Sequence, residues 1–185
     1  TTGELVFYVA DTSTPRIRKV VQVSSGVATV TTLSGTTSGF VNGLAGVAKF
    51  STPYGLALSP DASTLYVADG SNRRIRTVAT QTGVASTLAG SGSNDDNDGA
   101  ADVASFKKPR GLALTADGST LYAADFDGHK VRAVVVATGV VSTVAGTGSY
   151  GSTPGTHDGA GNKAWFYSPT AIALHPERMD LYVCN

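Results

Sequence analysis

Residues 55–90 read GLALSPDASTLYVADGSNRRIRTVATQTGVASTLAG, and the organisation of the whole chain follows from that stretch. Gly55 to Ser59 is a short apolar run closed by the turn Pro60-Asp61-Ala62-Ser63. Thr64 to Asp69 is β-rich and alternating, and it stops at polar Gly70-Ser71-Asn72. Arg74 to Ala79 sets Ile75 and Val78 among polar neighbours. Thr80 to Gly83 turns again, and Val84 to Ala89 runs to Gly90. No helical periodicity interrupts the pattern. Four short strands in succession, labelled A to D, with Gly-rich turns between them, make the antiparallel blade of a β-propeller.

The unit recurs. YVAD stands at Tyr8 to Asp11 and at Tyr66 to Asp69, YAAD at Tyr122 to Asp125, and YVCN at Tyr182 to Asn185, so the tyrosines step by 58, 56 and 60 residues. A fixed period of this size is a repeat architecture. Gly35, Gly90 and Gly146 close strand D, where a glycine supplies positive φ. Ala48-x-Phe50-x-x-Pro53, Ala104-x-Phe106-x-x-Pro109 and Ala164-x-Phe166-x-x-Pro169 lead into strand A, with the phenylalanine expected between blades. Asn42-Gly43, Asp98-Gly99 and Asp158-Gly159 sit in the D-to-A connections. Asp11, Asp69 and Asp125 each precede an arginine by seven residues (Arg18, Arg76, Arg132), which predicts a structural hydrogen-bonded pair across each B-to-C turn.

Strand motifs, turn residues and the Asp-Gly…Ala-x-Phe-x-x-Pro connector together resemble the NHL repeat family over nearly the whole chain. The resemblance implies an NHL-type propeller, commonly six-bladed, and a role as an interaction platform. Some NHL propellers bind RNA, and one distant branch is a metal-dependent amidating lyase.

Composition narrows the function classes. A hydrophobic fraction of 41% fits a globular domain, and no apolar run approaches the roughly 18–20 residues that span a bilayer, so no membrane role is expected. Fourteen basic and fourteen acidic residues leave no net charge, which disfavours nucleic acid as the partner. Cys184 is the sole cysteine, so no internal disulfide forms.

The strand count gives an all-β fold of about three blades in one unit, 1–185, with blade parts at approximately 1–35, 36–90, 91–146 and 147–185. Propellers close with four to eight blades. Two readings follow. Either the chain is a piece of a longer propeller, or two copies join about a two-fold axis into a six-bladed ring.

Strands alternate in direction, so B-to-C and D-to-A loops share one face. That face carries most of the variation between repeats, and its D-to-A connections are long (Gly35 to Pro53, Gly90 to Pro109, Gly146 to Pro169), which marks it as the binding surface. Arg73 and Arg74 with Lys107, Lys108 and Arg110 make a candidate basic patch there, opposed by Asp95, Asp96, Asp98 and Asp102. His129 and His157 lie on the same face, and Trp165 heads its most aromatic segment. Asn94-x-Asp96-x-Asp98-Gly99 imitates the front of a calcium loop, but Ser105 occupies the position of the closing glutamate. Nothing resembling a nucleophile elbow, a phosphate loop or an independent carboxylate pair appears, so no catalytic group and no cofactor is assigned. The expectation is a noncatalytic module that binds protein or peptide. A propeller-scaffold metal-dependent lyase or hydrolase and an RNA-binding NHL domain stand as alternatives.

Overall fold

A computed structural model describes residues 4–23, 26–148, 158–175 and 177–185. It contains thirteen strands among those residues, in the predicted order. β1 (Leu5–Asp11), β2 (Arg16–Gln22) and β3 (Ala28–Ser34) form a three-stranded sheet. β4 (Pro53–Leu58), β5 (Thr64–Asp69), β6 (Arg74–Ala79) and β7 (Ala85–Ala89) form a complete four-stranded blade. So do β8 (Pro109–Leu114), β9 (Thr120–Asp125), β10 (Lys130–Val135) and β11 (Val141–Ala145). β12 (Ala171–Leu174) and β13 (Leu181–Cys184) pair as the last sheet. Every pairing within a sheet is antiparallel. No helix among the described residues is long and apolar enough to cross a membrane.

The core lies between successive sheets. Along β5, Leu65 and Val67 pack toward the first sheet with Ile17 and Leu33, while Tyr66 and Ala68 pack toward the third with Leu112 and Leu121. The alternation expected over Thr64 to Asp69 is not what the strand shows: Leu65 to Asp69 are all buried, because a strand covered on both faces reads as a continuous apolar run. The connector phenylalanines enter these interfaces as expected. Phe50 and Phe106 are fully buried, and Phe166 packs partly buried in the interface of the last two sheets.

The inner strands β4, β8 and β12 approach so closely that glycine is required. A Cβ on Gly55 would run into the Arg110 carbonyl oxygen, and one on Gly111 would lie 2.9 Å from the Ala171 Cα. At the same register β12 carries Ala171.

The long D-to-A connections are packed structure more than free loop. Gly43 exchanges both backbone hydrogen bonds with Ala85 at the start of β7, at 2.9 and 2.8 Å, and Gly99 does the same with Val141 of β11. Each connection thereby covers part of an outer edge that would otherwise be open to pairing. The tip also reaches back, since the Gly35 and Gly90 N–H groups donate to the Ala45 and Ala101 carbonyls. One excursion braces two neighbouring blades.

Candidate functional site

Two buried ion pairs fix the B-to-C face from below. Asp69 and Arg76 sit diagonally on one side of the β5–β6 ladder, and a bulge between Ile75 and Arg76 turns the arginine toward the connection. Arg76 Nη1 donates to Asp69 Oδ2 at 2.8 Å with both side chains fully buried. Its Nη2 donates both to the Val41 carbonyl at 2.9 Å and to Asn42 Oδ1 at 2.7 Å. Burial pushes the Asp69 carboxyl up, against the pull of Asn72, the Ser51 amide and Arg76. In the third sheet Arg132 lies 3.8 Å from Asp125 and binds Asp98 at 2.7 Å. In the first sheet Asp11 instead accepts the Thr14 hydroxyl, and its pKa falls chiefly for that reason.

The aspartates have a second task. Asp69 Oδ1 accepts the Ser51 N–H at 2.7 Å, and Asp125 accepts those of Lys107 and Lys108 at 3.0 and 2.6 Å. Asn185 does the same in the last sheet, taking the Tyr167 N–H at 2.6 Å. The final YVCN is therefore the same anchoring device with an amide in place of the acid.

Above this frame the predicted basic residues separate into three environments. Arg73, Lys107 and Lys108 line one polar cavity of about 240 Å³ together with Ser71, Asn94 and Asp127. Arg73 holds a left-handed backbone (φ 57°) at the end of the 3-10 turn Gly70–Asn72, and its Nε donates to Asn94 Oδ1 at 3.1 Å. The two lysines keep long ion pairs, Lys107 to Asp96 at 3.8 Å and Lys108 to Asp127 at 4.0 Å, and both ammonium groups remain partly exposed. Arg74 faces elsewhere. Its guanidinium stacks on Phe40 at 3.8 Å and donates to the Asn72 carbonyl at 2.9 Å, so it serves the fold. Arg110 points to the inner wall, 3.4 Å from the Phe126 ring centroid and 4.9 Å from that of Tyr54.

The calcium-like loop is occupied by the protein's own cations. Asn94 faces Arg73, and Asp96 lies 3.0 Å from Lys130. Asp98 takes Arg132 and also the Thr143 amide and hydroxyl, both at 2.9 Å. Burial pushes the Asp98 carboxyl up, but these donors outweigh it and hold the pKa low. Ser105 Oγ accepts the loop's own Asn97 N–H at 3.0 Å. No group of three or more His, Cys, Asp or Glu that could hold a metal occurs among the described residues.

His129 takes the left-handed position of its turn (φ 54°) that Arg73 takes in the preceding blade. Its Nδ1 accepts the Ser168 N–H at 3.0 Å and its ring stacks on Tyr167. Burial, helped by Lys107, lowers its pKa. Trp165 is half-buried in the connection that leads to β12. His157 lies outside the described residues.

With this geometry in view, the chain can be set beside known proteins. It is 33% identical over 107 residues to human NHL repeat-containing protein 2, covering 57% of this chain and 15% of that protein. It is 31% identical over 145 residues to the Arabidopsis thaliana protein SUPPRESSOR OF QUENCHING 1, chloroplastic, covering 74% of this chain and 13% of that one. These are NHL repeats. The chain thus spans about one seventh of the length of these relatives. No family model matches it. Among solved structures, an auxiliary nutrient binding protein from Bacteroides thetaiotaomicron superposes with a TM-score of 0.67 at 19% identity, over 98% of this chain and 42% of that one. A luciferin-regenerating enzyme does so with a TM-score of 0.55 at 15% identity, over 91% and 43%. At such identities the likeness is one of fold, and the NHL-type β-propeller hosts enzymes and binding proteins alike.

Proposed function

We propose that this segment of NHL propeller is a noncatalytic interaction module that engages an acidic stretch of a protein or peptide through its B-to-C and D-to-A face. The observation that carries the reading is the convergence of Arg73, Lys107 and Lys108 on one polar cavity, with the lysines held by long ion pairs and, for Lys108, a distant contact with the Phe126 ring at 5.9 Å. Long, partly exposed pairs contribute little to stability, about 0–1 kcal/mol each, so a partner carboxylate can displace them cheaply. The inner strands support binding over catalysis. PYGLAL, PRGLAL and AIAL supply no carboxylate or histidine to an inner-wall acid–base or metal site.

The test is fluorescence anisotropy with a labelled hexaglutamate peptide, alongside a single-stranded RNA of equal charge. Saturable, salt-sensitive binding of the peptide that weakens at least fivefold in K107A/K108A is expected. Binding of RNA in preference to the peptide would transfer the site to the RNA-binding reading, and binding of neither would end both.

A second reading concerns a second copy of the chain. Leu5, Phe7 and Val9 on edge strand β1 and Tyr182 on edge strand β13 are exposed apolar side chains. A two-fold partner covers such surfaces with an identical set. Sedimentation at micromolar concentration checks it: a monomer throughout would remove the closed dimer.

A further inference from the structure

Arg74, Arg76 and Arg132 each donate to two or more acceptors. Arg110 is different. Its Nε is buried without a hydrogen-bond partner, as that of Arg132 is, but no hydrogen bond or ion pair reaches the rest of its guanidinium among the described residues, where Arg132 uses both Nη1 and Nη2. What holds it is the Phe126 ring at 3.4 Å and the Tyr54 ring at 4.9 Å. Aromatic contact attracts the cation and uses its face, leaving the N–H donors in the plane of the guanidinium for something else.

Arg110 is one of the residues lining a concavity of about 440 Å³ on the inner wall, formed where β4, β8 and β12 run side by side. Tyr54 of β4, Arg110 of β8 and Thr170, which immediately precedes β12, stand at one register, and Thr12, Leu56 and Leu112 line the same concavity. The volume is in the range of small-molecule sites, which combine apolar walls with a few convergent polar groups. None of its lining residues belongs to the Arg73, Lys107 and Lys108 cavity, so this is a separate site.

We propose that this inner-wall concavity binds an organic carboxylate, with the Arg110 guanidinium as its fork-shaped anchor and Leu56 and Leu112 against the ligand's apolar body. A carboxylate matches the planar, two-donor edge of arginine and carries one charge. A phosphate dianion calls for more positive charge than one arginine supplies, and no second lysine or arginine lines the concavity. Thr12 already donates its hydroxyl to the Pro53 carbonyl at 2.7 Å, so its oxygen is oriented to accept from a ligand hydroxyl or amide.

The experiment follows the arginine Nε–H signals of the full chain by 15N NMR during titration with benzoate at fixed ionic strength, with inorganic phosphate as the comparison anion. A saturable displacement of the Arg110 signal by benzoate is expected, with phosphate at least tenfold weaker. R110K keeps the charge but loses the fork, and should raise the half-saturation concentration at least tenfold. T170E, at an exposed position, sets an anion beside the guanidinium and should abolish the response without disturbing the fold. K107A/K108A should leave it unchanged, which separates this site from the acidic-peptide site. A shift that never saturates, phosphate binding as tight as benzoate, or benzoate binding retained in both R110K and T170E would overturn the proposal.

Discussion

The Arg132 guanidinium and the Asp98 carboxylate, 34 residues apart in the chain, meet at 2.7 Å and tie the third blade to the connection that leads into it. Asn42 makes the same contact with Arg76. An amide is therefore an adequate acceptor at this position. D98N keeps the acceptor for Arg132 and gives up only the one at Oδ2 for the exposed Thr143 N–H, so it should lose under about 1 kcal/mol, whereas D98A leaves the buried Arg132 N–H without that acceptor and should cost about 1–3 kcal/mol. Urea denaturation of the two variants gives the comparison, and equal losses would show that the charge, not the acceptor, is what matters.

The pair formed by Asp69 and Arg76 is fully buried, so removing one partner strands the other. D69A and R76M should each destabilise by about 3–5 kcal/mol. R76K should recover only part of this, because an ammonium group cannot serve Asp69, Val41 and Asn42 at once. Thermal unfolding of the three variants measures the ranking.

Close approach at the inner wall gives a steric prediction. G55A puts a methyl group into the Arg110 backbone of the next strand and should cost about 1–3 kcal/mol. G46A meets nothing within 4 Å, and its φ is not positive. It should be neutral or stabilise by up to about 1 kcal/mol. Chemical denaturation of both separates crowding from backbone entropy.

His129 predicts a pH dependence. Its Nδ1 must be unprotonated to accept the Ser168 N–H, and its folded pKa lies below the ordinary value near 6.5. A depressed histidine contributes its full stability above the unfolded pKa and loses it as pH falls through the folded pKa. Stability should therefore decline from about pH 6.5 downward. H129N keeps an acceptor and tolerates the left-handed backbone, so its decline should be shallower over the same range. Unfolding midpoints from pH 7.5 to 5 would show this, and parallel curves would remove His129 as the cause.

The strands were legible in the chain because each is short, bounded by turn residues and repeated. Leu65 to Ala68 looked the same as Leu121 to Ala124 for the same physical reason, burial between two sheets. The Asp-to-Arg spacing of seven likewise announced a pair in two of the blades. The connections were less legible. Their length suggested a binding loop, yet Gly43 and Gly99 spend their backbone bonds on the next blade, a partnership 42 residues away in each case that no local pattern encodes. Arg73 and Arg74 are neighbours in sequence and were grouped together. Phe40 and the Ser91 carbonyl claim Arg74 from distant segments and leave Arg73 at the cavity. The unpaired Arg110 was visible only as one more basic residue, since its aromatic neighbours come from another strand and another turn.

Ala171 gives the inner wall a direction. Gly55 admits β8 and Gly111 admits β12 at backbone contact, but β12 offers the next position a methyl group. A strand laid against that side would meet a methyl group where β8 and β12 meet bare backbone. One residue at one register thus decides how near the next inner strand can come, and units of near-identical sequence do not present identical inner edges.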